Sequence, residues 1–243
     1  GVPADARCIL CHFQKNVDIA RGLGSDEQAM AFAKELMKLF LNAPEGVSSP
    51  WFGPATADLL HEMYGLDIDR FRQEKEESNR FVLERMDTIR DMVRSAPDPL
   101  LAGLQFAILG NYLDFAALRD QVSFDKLDDM LRQALEMELD PQMVESLRSD
   151  LAKRKTLLYI TDNAGEIGFD RVFAEEIARI YPQLEITFCV RGAVTNNDAT
   201  REDAAAVGIP FRIIDNGNRV AGTQLDQLSD EARTALETSD IIL

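Results

Sequence analysis

Asp162 and Asn163 stand side by side just after the apolar run Leu157–Ile160 and just before Ala164-Gly165-Glu166. A carboxylate and an amide oxygen placed together can face one hard cation. Gly165 permits close backbone approach, and the N–H groups of a following helix, from Gly165 and Glu166 onward, can receive an anion such as phosphate. The same residues can do something plainer, because Asp or Asn before a helix also serves as its cap.

A second acidic position follows the next apolar run. Val194-Thr195-Asn196-Asn197-Asp198-Ala199-Thr200 places Asp198 where a strand would end. If the two strands are neighbours, Asp198 sits beside Asp162. Two carboxylates and an amide then make a Mg²⁺ or Mn²⁺ site that leaves room for water and substrate. An Asn/Asp turn capping the next helix is the competing reading. Asp215-Asn216-Gly217-Asn218-Arg219, after a third apolar run, reads equally as a surface turn or as the wall of a pocket, with Arg219 or Arg191 meeting a substrate anion. Gly110-Asn111-Tyr112-Leu113-Asp114-Phe115 interrupts an apolar stretch with two polar residues and reads as a capped helix end. Cys8-Ile9-Leu10-Cys11-His12 matches a haem-attachment pattern in form. With His61 and Cys189 the only other N or S candidates, the expected state is a pair of buried thiols on one helical turn.

The elements that must hold these residues fall into two grammars. Through residue 153 the periodicity is helical. Ser25-Asp26-Glu27-Gln28 is a capping-box signature, and Met30, Ala33, Leu36, Met37, Phe40 and Leu41 recur behind it. A helix over Pro54–Tyr64 ends at Gly65. A single long helix is expected from Asp69 to Ser95, with Phe71, Phe81, Met86, Ile89 and Val93 inward, and further helices run through Leu104–Ile108, Phe124–Met137 and Pro141–Ala152. From residue 154 onward, strands at Leu157–Ile160, Leu184–Val190, Phe211–Ile214 and from Ile241 alternate with helices at Phe169–Ile180, Ala199–Val207 and Leu225–Glu237. Such alternation implies a parallel sheet with right-handed crossovers. The expected class is therefore α/β: a helical N-terminal region, 1–153, packed on a Rossmann-like domain, 154–243. The last apolar run stops at Leu243, as if the natural chain continued.

Composition narrows the partners. The formal net charge of −16 argues against nucleic acid, whose phosphates are bound by positive surface. It also means that an anionic substrate needs a bound cation or clustered Arg and Lys. No apolar stretch reaches the length of a membrane span. Three cysteines do not make a disulfide scaffold, so a cytoplasmic protein is expected.

The residues also carry a family resemblance. Asp-Asn-Ala-Gly-Glu-Ile-x-Phe-Asp at 162–170, Val-Arg-Gly at 190–192, Asn-Asp-Ala-Thr at 197–200, Glu-Asp-Ala at 202–204 and Asp-Asn-Gly…Gly-Thr at 215–223 resemble, in that order, the DUF89 family of metal-dependent damage-control phosphatases. The N-terminal Cys-x-x-Cys and Gly-Asn-x-x-Asp-Phe at 110–115 are similar to its small stand-alone prokaryotic branch. The resemblance implies a divalent cation (Mn²⁺, Ni²⁺, Co²⁺ or Mg²⁺) on Asp162, Asn163 and Asp198, which would also be the catalytic residues. It implies a small phosphorylated metabolite as partner, a sugar phosphate or a damaged phosphorylated cofactor, with Asn111 close to the pocket. Two departures stand out. Val194-Thr195-Asn196 replaces a proline-led approach to Asn-Asp-Ala-Thr. The family continues after the strand beginning at Asp240 with a Lys-Gly-x-x-Asn-Phe-Glu segment, expected to meet the substrate phosphate, and the sequence here ends at Leu243 without it.

The competing functions are a carboxyl methyltransferase using S-adenosylmethionine and a non-catalytic metal-binding protein. The stretch 162–170 has glycine only at 165 and 168, which does not make a dinucleotide fingerprint. Alanine at 164 lacks the second aspartate that a haloacid-dehalogenase-type phosphatase needs.

Overall fold

The structure, a computed structural model, describes residues 2–113 and 124–243. Asp114 and Phe115 lie outside the described residues. The chain runs through helices α1 (Ala6–Leu23), α2 (Asp26–Leu41), α3 (Gly53–Tyr64), α4 (Arg72–Leu83), α5 (Met86–Ser95), α6 (Pro99–Tyr112), α7 (Phe124–Leu135) and α8 (Pro141–Lys153). Then β1 (Thr156–Ile160), α9 (Glu166–Ile180), β2 (Glu185–Val190), α10 (Arg201–Ala206), β3 (Arg212–Asp215), α11 (Asp230–Thr238) and β4 (Ile241–Ile242) alternate.

Local signals in the sequence account for most helix ends. Ser25 and Gln28 form the reciprocal capping box at the start of α2. Gly65 closes α3 in the left-handed conformation, φ 66°. Thr200 and Asp203 form a second capping box at the start of α10. Ser49–Phe52 is a short 3-10 turn leading into α3 rather than an open loop.

Two expectations need correction. The long helix over 69–95 is two helices, α4 and α5, because the backbone tightens to an i→i+3 bond from Arg85 N–H to Val82 O. That break brings Val82, Met86, Ile89 and Val93 together into one core with Phe106 and Phe169. Phe71 and Phe81 are only partly buried, and the inner face of α4 is instead Lys75, Ser78, Asn79 and Val82. The N-terminal cysteines are not a buried pair either. Cys8 is half-buried and Cys11 exposed, because α1 turns Asn16 and Ala20 inward rather than the turn carrying the thiols.

The four strands are all parallel, in the order β3-β2-β1-β4. Leu157, Tyr159, Ile186 and Phe188 pack toward α6, α8 and α9, while Leu158, Cys189 and Ile214 pack on Ala232 of α11. Burial on both faces explains why β1 and β2 read as continuous apolar runs. The chain steps outward from β1 to β3 and then returns to β4 on the other side of β1. The order therefore reverses at β1, and ligands of open α/β sheets bind outside the carboxyl ends at such a point.

The helical region meets the sheet domain through α6 and α9. A Cβ on Gly103 would lie 2.9 Å from Phe173, and one on Gly110 3.2 Å from Phe169, so two missing side chains let these helices approach closely. No described helix is long and apolar enough to cross a membrane.

Candidate metal centre at the carboxyl edge of the sheet

Asp162 and Asn163 follow β1, and Asp198 lies in the segment after β2, the neighbouring strand. The two loops are stitched together. Asn163 and Asp198 form an isolated antiparallel bridge, Ala199 N–H donates to Asp162 O at 2.7 Å, and Ala164 N–H donates to Asn197 O at 2.9 Å. The three sequence-predicted ligands are thus brought side by side. The Asp198 loop returns to the sheet through Arg191 N–H to Ala199 O at 2.8 Å.

Electrostatics at this edge is dominated by carboxyls. Asp162 is exposed, and among the described residues no cation pairs with it. Burial raises the Asp198 carboxyl above the ordinary carboxylate range. Arg191 and Lys75 pull it down and Asp162 pushes it up. Burial likewise raises Glu166, opposed by the Asn163 hydrogen bond and reinforced by Asp162. Asp170 is raised furthest. Burial leads, the Tyr159 hydroxyl donating at 2.7 Å opposes it, and Glu166 and Asp162 add to it. One unpaired carboxylate therefore disfavours ionisation of three neighbours.

This donor set suits a divalent cation. Its chemistry is all oxygen, and a bound positive charge would relieve the repulsion that Asp162 exerts. Among the described residues no group of three His, Cys, Asp or Glu side chains is arranged to hold a metal. The candidate set instead counts two carboxylates and an amide. Asn163 Nδ2 donates to Glu166 Oε2 at 3.1 Å, which turns the amide so that Oδ1 remains its acceptor face.

The other predicted residues take distinct places. Asn111, exposed at the end of α6, lines a cavity of about 270 Å³ together with Asn163, Glu166, Asn197, Lys75 and Ser78. Arg191 is buried. Its Nε donates to Asp198 Oδ2 at 2.8 Å, and its Nη1 donates to Val220 O at 2.7 Å and Gly222 O at 2.8 Å. Arg219 reaches away to α3, where Nη1 meets Asp58 Oδ1 at 2.7 Å. Gly165 adopts φ 81°, a conformation that favours glycine, and its N–H donates to Asn79 Oδ1 at 2.8 Å. The amide expected to face an anion is therefore already bonded.

Sequence reasoning missed Lys75, Ser78 and Asn79. Lys75 Nζ pairs with Asp203 Oδ2 at 2.7 Å, with both side chains 7% exposed. Asn79 Nδ2 donates to Asp203 Oδ1 at 2.8 Å. A signal for them existed. Positions 75, 78, 79 and 82 share one helical face, and the only apolar member among them is Val82.

A family model described as the damage-control phosphatase ARMT1-like domain matches residues 4–243. An uncharacterised protein of Methanocaldococcus jannaschii is 30% identical over 252 residues, covering 100% of this chain and 81% of its own length. A damage-control phosphatase of Archaeoglobus fulgidus is 30% identical over 187 residues, which cover 76% of this chain and 63% of that protein. The chain thus spans less than two thirds of this relative and of a second damage-control phosphatase, from Pyrococcus horikoshii, of which it covers 62% at 28% identity. The crystal structure of a DUF89 family protein from Pyrococcus horikoshii superposes with a TM-score of 0.83 at 24% identity, covering 100% of this chain and 84% of the other, a likeness of fold.

Proposed function

This chain belongs to the family described by the damage-control phosphatase ARMT1-like domain, and on that footing we propose that it is a metal-dependent phosphatase acting on small phosphomonoesters. The observation that carries the reading is the pairing of the Asp162–Asn163 turn with the Asn197–Asp198 segment at the strand where the sheet order reverses. That pairing brings together the loops that carry two carboxylates and an amide, and Asn163 and Asn197 of those loops line a polar cavity.

In this reading Asp162, Asn163 and Asp198 hold the divalent cation (Mn²⁺, Ni²⁺, Co²⁺ or Mg²⁺). When bound, such a cation supplies charge neutralisation and polarises a phosphoryl oxygen. The remaining work belongs to the chain. Arg191 engages Asp198 Oδ2 and fixes that carboxylate's orientation, leaving Oδ1 without a protein partner among the described residues. Glu166, whose carboxyl holds its proton to higher pH than usual, stands in the cavity wall, where it can give or take a proton. Asn111 and Asn197 offer neutral hydrogen bonds to a small, hydroxyl-rich substrate. The cavity, about 270 Å³, is small, which supports a small metabolite as substrate.

The test uses the whole chain against a panel of phosphometabolites, each with Mn²⁺, Ni²⁺, Co²⁺ and Mg²⁺, with phosphate release as readout. Cation-dependent release by wild type that is absent in Asp162→Ala is the expected result. Wild-type inactivity across the panel, or full activity in Asp162→Ala, would overturn the reading.

A further inference from the structure

We infer that Asn79 is a positioning residue that locks the two ligand-bearing loops in register, so that cation affinity depends on a helix contributing no ligand. The consequence for the cation rests on the metal-site reading above; the clamp itself rests on hydrogen bonds alone.

Asn79 is 4% exposed and both ends of its amide are used. Its Oδ1 accepts from Gly165 N–H at 2.8 Å, two residues from Asn163. Its Nδ2 donates to Asp203 Oδ1 at 2.8 Å. Asp203 Oδ2 in turn accepts from the N–H and the hydroxyl of Thr200, each at 2.8 Å, and Thr200 is two residues from Asp198. One side chain on α4 therefore joins the loop after β1 to the loop after β2, by bonds that span 86 and 124 residues of sequence.

Ordinary capping does not account for this arrangement. At φ 81° the Gly165 amide lies outside the hydrogen-bond ladder of α9 and takes its partner from another element. An apolar residue at 79 would fill the space but leave a buried N–H and a carboxylate oxygen unmet. Lys75 supplies the countercharge for Asp203 from the same helical face. The height of α4 above the turn is also set by packing, since a Cβ on Gly168 would lie 2.5 Å from Val82, one turn along α4 from Asn79. Each part fixes distance or direction, and all of them converge on the loops that carry Asp162, Asn163 and Asp198.

Amide hydrogen exchange on the metal-free chain and Mn²⁺ calorimetry test this together. In Asn79→Ala, exchange should rise at least tenfold in both 162–166 and 198–203, with β1 and β2 unchanged, and the Mn²⁺ dissociation constant should rise at least tenfold. Wild-type protection in both segments, or an Mn²⁺ constant within twofold of wild type, overturns the inference. Should Asn79→Ala fail to fold, Asn79→Asp carries the test, because it keeps the Gly165 bond and sets two carboxylates against each other at Asp203. Selective loss of protection in 198–203 supports the clamp, and unchanged protection there overturns it. Leu36→Ala, in the distant core of α1–α3, serves as a stability control. If it weakens Mn²⁺ binding as much as Asn79→Ala does, the effect is global and the inference fails. A wild-type chain that binds Mn²⁺ but hydrolyses no phosphomonoester overturns the phosphatase reading alone. One with no Mn²⁺ affinity overturns both.

Discussion

Arg191 Nε meets Asp198 Oδ2 at 2.8 Å with both side chains almost fully buried, 6% and 7% exposed. The guanidinium also donates to the carbonyls of Val220 and Gly222, so it ties the third loop of the carboxyl edge to the second. In the proposed site this makes Asp198 a ligand held by one oxygen and presented by the other. Arg191 acts through that carboxylate and through loop structure, because its Nε and Nη1 hydrogens are already directed at protein partners.

Removing the cation of that pair should be costly. Arg191→Met leaves a buried, uncompensated Asp198, and breaking a buried pair in this way costs about 3–5 kcal/mol. Chemical denaturation should show a loss of that order. Arg191→Lys should recover little of it, since a single ammonium cannot reach both the carboxylate and the two carbonyls with the guanidinium's planar fork. A lysine variant as stable as wild type would contradict this account.

The metal reading predicts a thermal signature as well as an activity. Chelator-treated protein should lose phosphomonoester hydrolysis and regain it with Mn²⁺. Added Mn²⁺ should raise the melting temperature of wild type, because a ligand bound only by the native state stabilises it. In Asp162→Ala and Asp198→Ala that rise should vanish, and turnover should fall by roughly 10² or more. Equal thermal shifts in wild type and Asp162→Ala would place the cation elsewhere.

Gly168→Ala should act at a distance from any ligand. Its new methyl would press on Val82 Cγ1 at 2.5 Å and displace α4 from the start of α9. Overpacking of this kind costs about 1–3 kcal/mol. The compensating change Val82→Ala in the same chain should recover part of the stability, which a double-mutant cycle would read. Additive losses in the cycle would show that the two positions do not press on each other.

Acid stability should depend on Glu175. Burial works to raise its carboxyl, but hydrogen bonds from Arg90 at 2.7 Å and Arg171 at 2.8 Å outweigh it and hold the group below its ordinary value of 4.5. A carboxyl depressed in the folded state stabilises the fold above its unfolded value and loses that contribution as pH falls through the folded value. Wild type should therefore exceed Glu175→Gln in stability at neutral pH, and the gap should close below about pH 4.5. A gap that stays constant into acid would mean that the two arginines stabilise by packing rather than by charge.

Local chemistry in the sequence determined the alternation of strand and helix, the capping box at Ser25, the stop at Gly65, and the position of Asp162 and Asn163 just beyond an apolar run. These features depend on neighbours within about four residues, so a linear reading can find them. The adjacency of Asp198 to Asp162 was also legible, because consecutive parallel strands joined by a crossover tend to lie side by side. Helix α4 was not legible in this way. Arg72-Gln73-Glu74-Lys75-Glu76-Glu77-Ser78-Asn79-Arg80 has the composition of a solvated surface helix, yet Lys75, Ser78 and Asn79 are buried. Ser78 bonds back to Glu74 O within the helix, but the partners of Lys75 and Asn79, which are Asp203 and Gly165, lie 86 or more residues away, and a polar side chain is stable inside only where partners wait. The sequence by itself determined which loops carry the candidate ligands. Only the tertiary structure decided which buried polar face holds those loops together, because burial of a charge or an amide is a property of the partners folding brings to it.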